Sequence, residues 1–471
     1  MSEMPFLAPG IAWFLVVTFS VLWIALGVWW GKRGRGDAED HMLAGRNLGI
    51  SLSTATLVAS WATGNTTLLA PELGYTTGLW GMFSYSRASL GLVLFAPLAV
   101  RIKTLMPRAR TSGDFIRLRY GRLAWTIFLL ITFVYSLGFL MTQAIGAGIL
   151  LEALSGFDYR LGMLIVISVS TTYTIYGGMR AVAGTDYLQA LLMMTLQVLV
   201  AVLVFNRFSP AEVHASLLAN HPDRLDLLLP TGLLVAWNSG IFSMGEIFHH
   251  NTWWSRVFAS RSSVIFRSFI FGGLAWMAVP LVTGSIGLVA LAKGIEVPQV
   301  NMVFPVVAAQ LLGAWGAAVV FLIVFASLTS TLDSLLASTA DLIAVDIYLQ
   351  LLRPHASDAQ LKQASRTIVL LLGMATVMLC WPRFDSLVAV LLFTGALVSS
   401  TIWPIACGLY WRSANRHGAI AAMISGSVVG LIGYYAIAPY CAALLSAGVS
   451  ALVMATWTWW RPEQFNWRRL A

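Results

Sequence analysis

The chain has 471 residues, of which 58% are hydrophobic and only 10% are charged. Soluble domains carry about 25% charged residues, so this composition excludes a soluble protein and indicates a membrane protein whose solvent is largely lipid. The net charge of +9 does not indicate nucleic-acid binding, because the Lys and Arg residues fall in short loops between apolar runs.

We find thirteen runs of roughly 20 apolar residues, the length that crosses the hydrocarbon layer. They follow one another with short connections, which predicts a single all-α transmembrane domain over residues 1–471. The run near 303–345 is too long for one straight span, so we expect it to begin with an amphipathic segment outside the membrane. The runs lie near 11–30, 51–72, 77–100, 122–152, 159–178, 185–206, 229–252, 266–292, 303–345, 366–382, 386–411, 418–438 and 441–460.

The basic residues orient these spans. With the N-terminus outside and the C-terminus inside, 23 of the 29 Lys and Arg residues fall on the cytoplasmic side and 5 fall outside. Cytoplasmic loops carry such an excess. The sequence therefore predicts a multi-pass plasma-membrane protein in this orientation, in the inner membrane if the source is Gram-negative.

The loops and motifs exclude most other activities. The longest loops, near 207–228 and 346–365, are too short for a domain, and the sequence has no phosphate-binding loop, zinc pattern or nucleophile elbow. The three cysteines have no metal-like spacing. We expect no enzyme activity, no ATP-driven transport and no nucleic-acid partner.

Gly64-Asn65 interrupts the second span between hydroxyl residues. A helix break there would free backbone carbonyls and amides, which lipid cannot satisfy. Such breaks occur where they line a cavity and coordinate an ion or a solute. A packing face of small residues between helices is the alternative interpretation.

A polar stripe runs along the ninth span. Four hydroxyl residues share one helical face: Ser327, Thr331, Ser334 and Ser338. Ser330 lies beside this stripe and Asp333 lies within a turn of it. Hard oxygen ligands suit a small hard cation, and an intramembrane carboxylate is costly unless it serves one. The stripe therefore predicts a cation site, with back-bonding of each hydroxyl to its own helix as the alternative.

Two more acidic residues lie close to spans. Asp186 begins the sixth span, where it is either functional or an N-terminal helix cap. Glu246 follows a second Gly/Ser-rich interruption that starts at Trp237, and at that depth it is a candidate functional residue. We expect the neighbouring His249 and His250 to be solvated at the cytoplasmic end of the span.

The two interruptions fall in the second and seventh spans, five spans apart. Weakened segments at corresponding positions of two halves indicate an inverted repeat with its site at the membrane midplane. An odd number of spans in each half makes the two halves opposite in orientation, as the loop charges require.

Three segments resemble the sodium:solute symporter family, whose members include proline, sialic acid, galactose and glucose symporters. Residues 176–194 resemble the family signature around the fifth core helix, 330–348 its eighth helix, and 407–419 the segment after its tenth helix. The match in order and spacing extends from about Met42 to Gly430. The resemblance implies an inverted five-helix repeat of the LeuT type, with repeats at 51–206 and 229–411, one extra helix at 11–30 and two at 418–460.

The same resemblance implies a sodium site between the first and eighth core helices. Its ligands would be the carbonyl groups of Ala59, Ala62 and Ser327 and the hydroxyl groups of Ser330 and Thr331. A second sodium, found only in some members, would use Asp186, Asp333 and Ser334. Many members have a hydroxyl in place of Asp333, and the extra carboxylate can either tighten that site or bind a proton instead of sodium.

By position in the family, seven residues would face the solute: Thr63, Asn65, Thr66, Tyr85, Gln143, Ser243 and Glu246. They do not match the sugar, proline or sialic acid versions of the site. A buried carboxylate needs a donor, so Glu246 favours an amine, an amide or a cationic solute such as a urea-like or quaternary amine compound. Pairing of Glu246 with Arg87 inside the protein is the alternative.

The sequence thus predicts a monomeric, lipid-embedded symporter that couples sodium entry to uptake of a small polar organic solute, such as an amine, an amide or an amino acid. Sodium would hold the first core helix against the eighth, and coupling requires each ligand to bind one conformation better than the other. The competing hypotheses are a solute-sensing domain that partners a signalling kinase, and proton-coupled transport.

Overall fold

The computed structural model describes residues 7–34, 36–297, 299–383 and 387–471. Within these ranges the chain is helical and contains no β-strand. Ten of its helical segments are long and apolar enough to cross a membrane. The α-helices are α1 Pro9–Lys32, α2 Ala38–Leu43, α3 Ile50–Trp61, α4 Gly64–Thr77, α5 Leu79–Ser86, α6 Ser89–Leu105, α7 Ser112–Tyr120, α8 Arg122–Ser155, α9 Tyr159–Arg207, α10 Pro210–Asn220, α11 Pro230–His249, α12 Asn251–Ala259, α13 Ile265–Ala292, α14 Val303–Leu342, α15 Asp358–Cys380, α16 Leu387–Ser399, α17 Ile402–Tyr410, α18 Arg416–Ala436 and α19 Ala442–Trp460.

The longest helical segment, α9, is a hairpin. Its 49 residues would extend roughly 74 Å if straight, far more than the ~30 Å hydrocarbon layer. Gly178 inside it has φ +55° and ψ −149°, a conformation nearly restricted to glycine. The Ser170 hydroxyl and the Gln189 amide both reach Thr329, at 3.2 Å from its carbonyl oxygen and 2.9 Å from its hydroxyl. Because these two residues would lie roughly 28 Å apart in a straight helix, the chain folds back at Gly178.

Helix α14 also divides, at Gly313, which has φ +62°. A Cβ atom on Gly316 would lie 2.0 Å from the carbonyl oxygen of Ala308, so the chain turns sharply between these residues. The longer part of α14 is the centre of the bundle, since every residue from 323 to 342 is buried. A π-helical segment, Ile343–Leu352, continues it.

The predicted break in the second span is present and lies slightly earlier than Gly64-Asn65. Helix α3 ends at Trp61, and Ala62 has the non-helical angles φ −80° and ψ 70°. Thr63 is extended, and its hydroxyl accepts a hydrogen bond from the Thr66 amide at 3.1 Å, which caps α4. The threonine cap places the break two residues before Asn65, whose side chain lies outside the described part of the structure.

The second predicted interruption, in the Gly/Ser-rich stretch from Trp237, is wrong. Helix α11 runs unbroken to His249, and the chain leaves the helix at His250, which has φ −75° and ψ 134°. The small residues serve close packing instead, because a Cβ atom on Gly245 would lie 2.8 Å from the Cα of Ser399. A local irregularity, not predicted, separates α5 from α6 at Arg87 and Ala88, although both residues keep helical backbone angles.

Candidate functional site

The break after α3 packs against the polar stripe of α14. The Ser330 hydroxyl lies 3.1 Å from the Ala59 carbonyl oxygen and 3.1 Å from the Ser327 carbonyl oxygen. The Thr331 hydroxyl donates to the Ser327 carbonyl oxygen at 2.9 Å. All four residues are buried, and Ala62 is buried at the break itself. The five predicted ligands of the shared sodium site therefore lie on two elements in contact, and four are joined by hydrogen bonds.

The predicted second cation site contains an arginine. The Arg256 guanidinium donates to the Ser334 hydroxyl at 2.6 Å and to the Ser60 hydroxyl at 2.8 Å, and it lies 3.7 Å from the Asp186 carboxylate. Thr56 donates to the same carboxylate at 2.5 Å. Asp186 and Ser334, which the sequence assigned to sodium, thus surround a permanent cation supplied by α12.

Asp333 faces a different group of residues. Its Oδ2 atom accepts a hydrogen bond from the Tyr173 hydroxyl at 2.6 Å, and the Thr185 hydroxyl lies 3.5 Å away. Its Oδ1 atom is buried without a hydrogen-bond partner among the described residues. Both donors come from α9, so Asp333 joins the central helix to the two arms of the hairpin.

The structure rules out the alternative interpretation of Asp186 as a helix cap, and it buries Arg256, one of the basic residues expected in cytoplasmic loops. Asp186 does not cap a helix, because the second arm of α9 is helical well before and after it. Arg256, counted among the cytoplasmic loop charges, lies in α12 and is fully buried. The sequence holds a partial signal for its burial, since Trp253, Trp254 and Phe258 lie within three residues of Arg256.

A cavity of about 170 Å³ lies between α4, α5, α8, α11 and α13. Aromatic side chains form much of its lining: Trp61, Tyr85, Phe139, Phe242, Trp276 and Tyr440. Its polar lining residues are Thr63, Tyr85, Asn238, Ser239 and Glu246. The volume suits a solute of a few heavy atoms, because pockets for drug-sized ligands measure roughly 300–1,000 Å³.

Three of the residues predicted to face the solute line the cavity: Thr63, Tyr85 and Glu246. Thr66, Gln143 and Ser243 do not line it. The Thr66 hydroxyl donates instead to the Trp61 carbonyl oxygen at 3.2 Å.

Gln143 and Ser243 are also absent from the described lining. The amide of Gln143 bonds the Thr142 hydroxyl at 3.3 Å, and the hydroxyl of Ser243 donates to the carbonyl oxygen of Ala88 between α5 and α6. Sequence reasoning missed most of the aromatic lining, although Trp61 is adjacent to the predicted break and gave a usable signal.

Glu246 has no ion-pair partner in the described part of the chain. Its side chain is 1% exposed, and its Oε2 atom is buried without a hydrogen bond. The alternative pairing with Arg87 does not occur, because that guanidinium lies over the rings of Trp80 and Trp237, at 5.7 and 5.5 Å from their centroids.

The expectation that His249 and His250 are solvated is wrong. Both side chains are fully buried. His249 contacts the hydroxyls of Thr132 and Thr401 at 2.9 and 3.1 Å, and His250 contacts that of Ser136 at 2.9 Å. Each imidazole therefore fixes the α11–α12 bend against neighbouring helices.

The described geometry has the parts of a transporter: a broken helix, a buried polar stripe opposite it and a small cavity beside both. The model of the sodium:solute symporter family matches residues 41–426, most of the chain. The chain belongs to the sodium:solute symporter family. The relatives of this symporter are transporters rather than enzymes, and it is a multi-pass protein of the plasma membrane.

Similar proteins include transporters of different solutes. The symporter is 26% identical to a urea-proton symporter of Oryza sativa subsp. japonica, over 98% of this chain and 73% of that protein. It is 24% identical to the urea active transporter of Saccharomyces cerevisiae, over 84% of this chain and 58% of that longer protein. It is 25% identical to the osmoregulated proline transporter OpuE of Bacillus subtilis, over 89% of this chain and 88% of that protein.

A solved structure has the same fold. The symporter superimposes on a Na+-coupled sialic acid symporter with a TM-score of 0.81, over 97% of this chain and 99% of the other, at 15% sequence identity. The described helices therefore form a LeuT-like transporter fold.

Proposed function

We propose that this protein is a sodium-coupled symporter that takes up a small polar organic solute, with an amine, an amide or an amino acid as the candidate classes. The observation that carries the proposal is the contact between the break after α3 and the hydroxyl stripe of α14. A break in a buried transmembrane helix leaves carbonyl groups that need a partner, and a bound cation supplies one.

The sodium would bind between Ala59, Ala62, Ser327, Ser330 and Thr331. Carbonyl and hydroxyl oxygens are the hard ligands that such a cation prefers. The Ser330 hydroxyl, now 3.1 Å from the Ala59 carbonyl oxygen, would turn its lone pairs toward the ion. Because these ligands come from two elements, the ion would favour the conformation that holds α3 against α14, and this preference is the coupling.

We propose one sodium per transport cycle at this site. The second site has less support, since the Arg256 guanidinium already pairs with Asp186 and bonds Ser334. Asp333 carries a buried oxygen atom that has no hydrogen-bond partner in the described structure. A second ion beside this atom is therefore the alternative to a single sodium. The functional unit would be a monomer that contacts lipid and solute.

We also propose thirteen membrane crossings, with the N-terminus outside and the C-terminus inside. The two arms of α9 would each cross once, α3 with α4 would form one broken crossing, and the segment of α14 before Gly313 would lie outside the hydrocarbon. The repeats would be 51–206 and 229–411, with extra helices at 11–30 and 418–460. The excess of basic residues on one side supports this orientation.

Proton coupling is the second candidate, because the rice relative is a urea-proton symporter. The experiment that separates the two uses purified protein in proteoliposomes. An inward sodium gradient at equal pH should drive uptake from a panel of labelled amines, amides and amino acids, and an inward proton gradient without sodium should not. Uptake driven only by the proton gradient would replace sodium with protons, and no sodium-driven uptake across the panel would contradict the proposed function.

A further inference from the structure

The cavity beside the helix break contains a buried carboxyl group with no basic side chain beside it in the described lining. Glu246 is the one ionisable acidic or basic side chain in the described lining, which includes no Lys, Arg or His. Its Oε2 atom makes no hydrogen bond, and its side chain is 1% exposed. A buried carboxylate is expensive unless a donor or a cation meets it, so this oxygen atom marks where a ligand group belongs.

The neutral donors beside Glu246 supply no counter-charge. Tyr135 and Trp253 lie beside Glu246, but their hydroxyl and indole groups have no hydrogen-bond partner in the described structure. Small rotations could bring either group to the carboxylate. Even then an ionised carboxylate would lack a counter-charge, because both donors are neutral.

The walls around this carboxylate are aromatic. The ring centroid of Trp276 lies 5.7 Å from that of Trp61 and 6.0 Å from that of Tyr85, which forms a continuous surface along one side. Phe242 and Tyr440 contribute further aromatic lining. Indole and phenol faces attract cations that lie within about 6 Å, and desolvation strengthens this attraction.

From this arrangement we propose that the solute is a small organic cation whose charged nitrogen group is a guanidinium or an ammonium. The cationic group would contact the carboxylate of Glu246 and lie against Trp61, Tyr85 or Trp276. This inference rests on the proposed solute symport and narrows its solute class. A carboxylate-bearing solute would meet no basic side chain in the described lining, which sets amino acids apart from the proposed class.

A cation and its neutral isostere test the proposal. Guanidinium and urea share their size and planar shape, but only guanidinium is charged and can pair ionically with a carboxylate. Thermal unfolding of the purified protein would be followed with each compound at constant sodium and ionic strength. Methylammonium and tetramethylammonium chloride complete the panel, with L-proline as a zwitterion.

In the unmodified protein, at least one cation should bind about tenfold or more tightly than urea. The Glu246→Gln variant keeps the shape of the side chain and removes its charge, so it should lose the preference for the cation. Glu72→Gln is the control for the loss of a membrane-embedded carboxylate, because Glu72 is a half-buried acidic residue of α4 that does not line the cavity. This control should keep the preference for the cation.

Urea or proline binding as tightly as every cation would overturn the proposal, as would an unchanged preference in Glu246→Gln or binding of none of the cations. The sodium requirement is read separately, from the shift in unfolding temperature that sodium alone produces and from its effect on any compound that binds. If none of the cations binds but a neutral compound does, and sodium tightens its binding, the cation class fails while the proposed symport stands.

Discussion

The Arg256 guanidinium lies 3.7 Å from the Asp186 carboxylate, and both side chains are fully buried. The same guanidinium bonds Ser60 of α3 and Ser334 of α14, so one side chain of α12 connects its own helix to both sides of the proposed sodium site. The ion pair therefore belongs to the packing around the helix break, not to a surface loop.

Removal of either partner of this ion pair should destabilise the protein. Arg256→Gln leaves a buried carboxylate and Asp186→Asn leaves a buried guanidinium, so each should cost about 3–5 kcal/mol. The double variant should lose clearly less than the sum of both, because it leaves neither charge alone. The measurement is the fraction of monodisperse protein after heating in detergent.

Arg261→Gln is the control for the loss of an arginine from the same stretch of chain, since Arg261 is exposed and bonds the Asn47 side chain. Its effect should be within about 0.5 kcal/mol. Additive losses in the double variant would show that the two residues do not stabilise each other.

Thr331→Ala should weaken sodium binding by roughly tenfold to a hundredfold, since a hydrogen-bonding or ligand oxygen that meets a charge contributes about 1.5–3 kcal/mol. The hydroxyl donates to the Ser327 carbonyl oxygen, so its lone pairs are free to face a cation. Sodium affinity is measured from the sodium dependence of uptake or of thermal unfolding.

Thr339→Ala removes a hydroxyl from the same buried helix that makes no hydrogen bond in the described structure. It should leave the sodium affinity unchanged. Equal sodium affinity in Thr331→Ala and in the unmodified protein would remove Thr331 from the site.

Gly178→Ala should destabilise the α9 hairpin by more than about 1–3 kcal/mol, the cost of a side chain in this region of backbone conformation. A Cβ atom there would also lie 2.2 Å from the carbonyl oxygen of His41, which leaves no room for relaxation. Gly448→Ala, in a helix and with open space around its Cβ position, should be neutral or slightly stabilising. Equal melting temperatures for the two variants would show that the turn does not depend on glycine.

The helices and the break at Ala62 were predictable because they depend on local signals. Apolar runs of the right length mark the spans, and Gly64-Asn65 between hydroxyl residues indicates an interruption within two residues of the observed break. The error in α11 has a physical cause: glycine and serine in a membrane helix either break it or let a neighbour approach closely. Only the contact of Gly245 with Ser399 distinguishes these outcomes.

The partners in the polar clusters were not predictable from spacing. Ser334 and Asp333 are adjacent in sequence, yet one bonds Arg256 of α12 and the other bonds Tyr173 of α9. Their partners are set by which helices surround α14, and this depends on the whole bundle. The aromatic walls of the cavity have the same origin, because Trp276 lies in an apolar span where nothing local separates a cavity residue from a lipid-facing one.

The proposed topology predicts that loops on either side of α11 and α12 face opposite sides of the membrane. Single cysteines at Asp223 and at Ser262, both exposed, should react differently with a membrane-impermeant maleimide. Asp223→Cys should be labelled in intact cells or right-side-out vesicles, and Ser262→Cys only after permeabilisation. The native Cys380, Cys407 and Cys441 are buried and should give a low background.

The unmodified protein provides that background, and labelling of each variant in detergent shows that the introduced thiol is reactive. Labelling of both positions from the same side would mean that α11 does not cross the membrane. The reverse pattern, with Ser262→Cys labelled in intact cells, would invert the orientation that the basic residues favour and leave the fold unchanged. The two positions therefore separate the number of crossings from their direction.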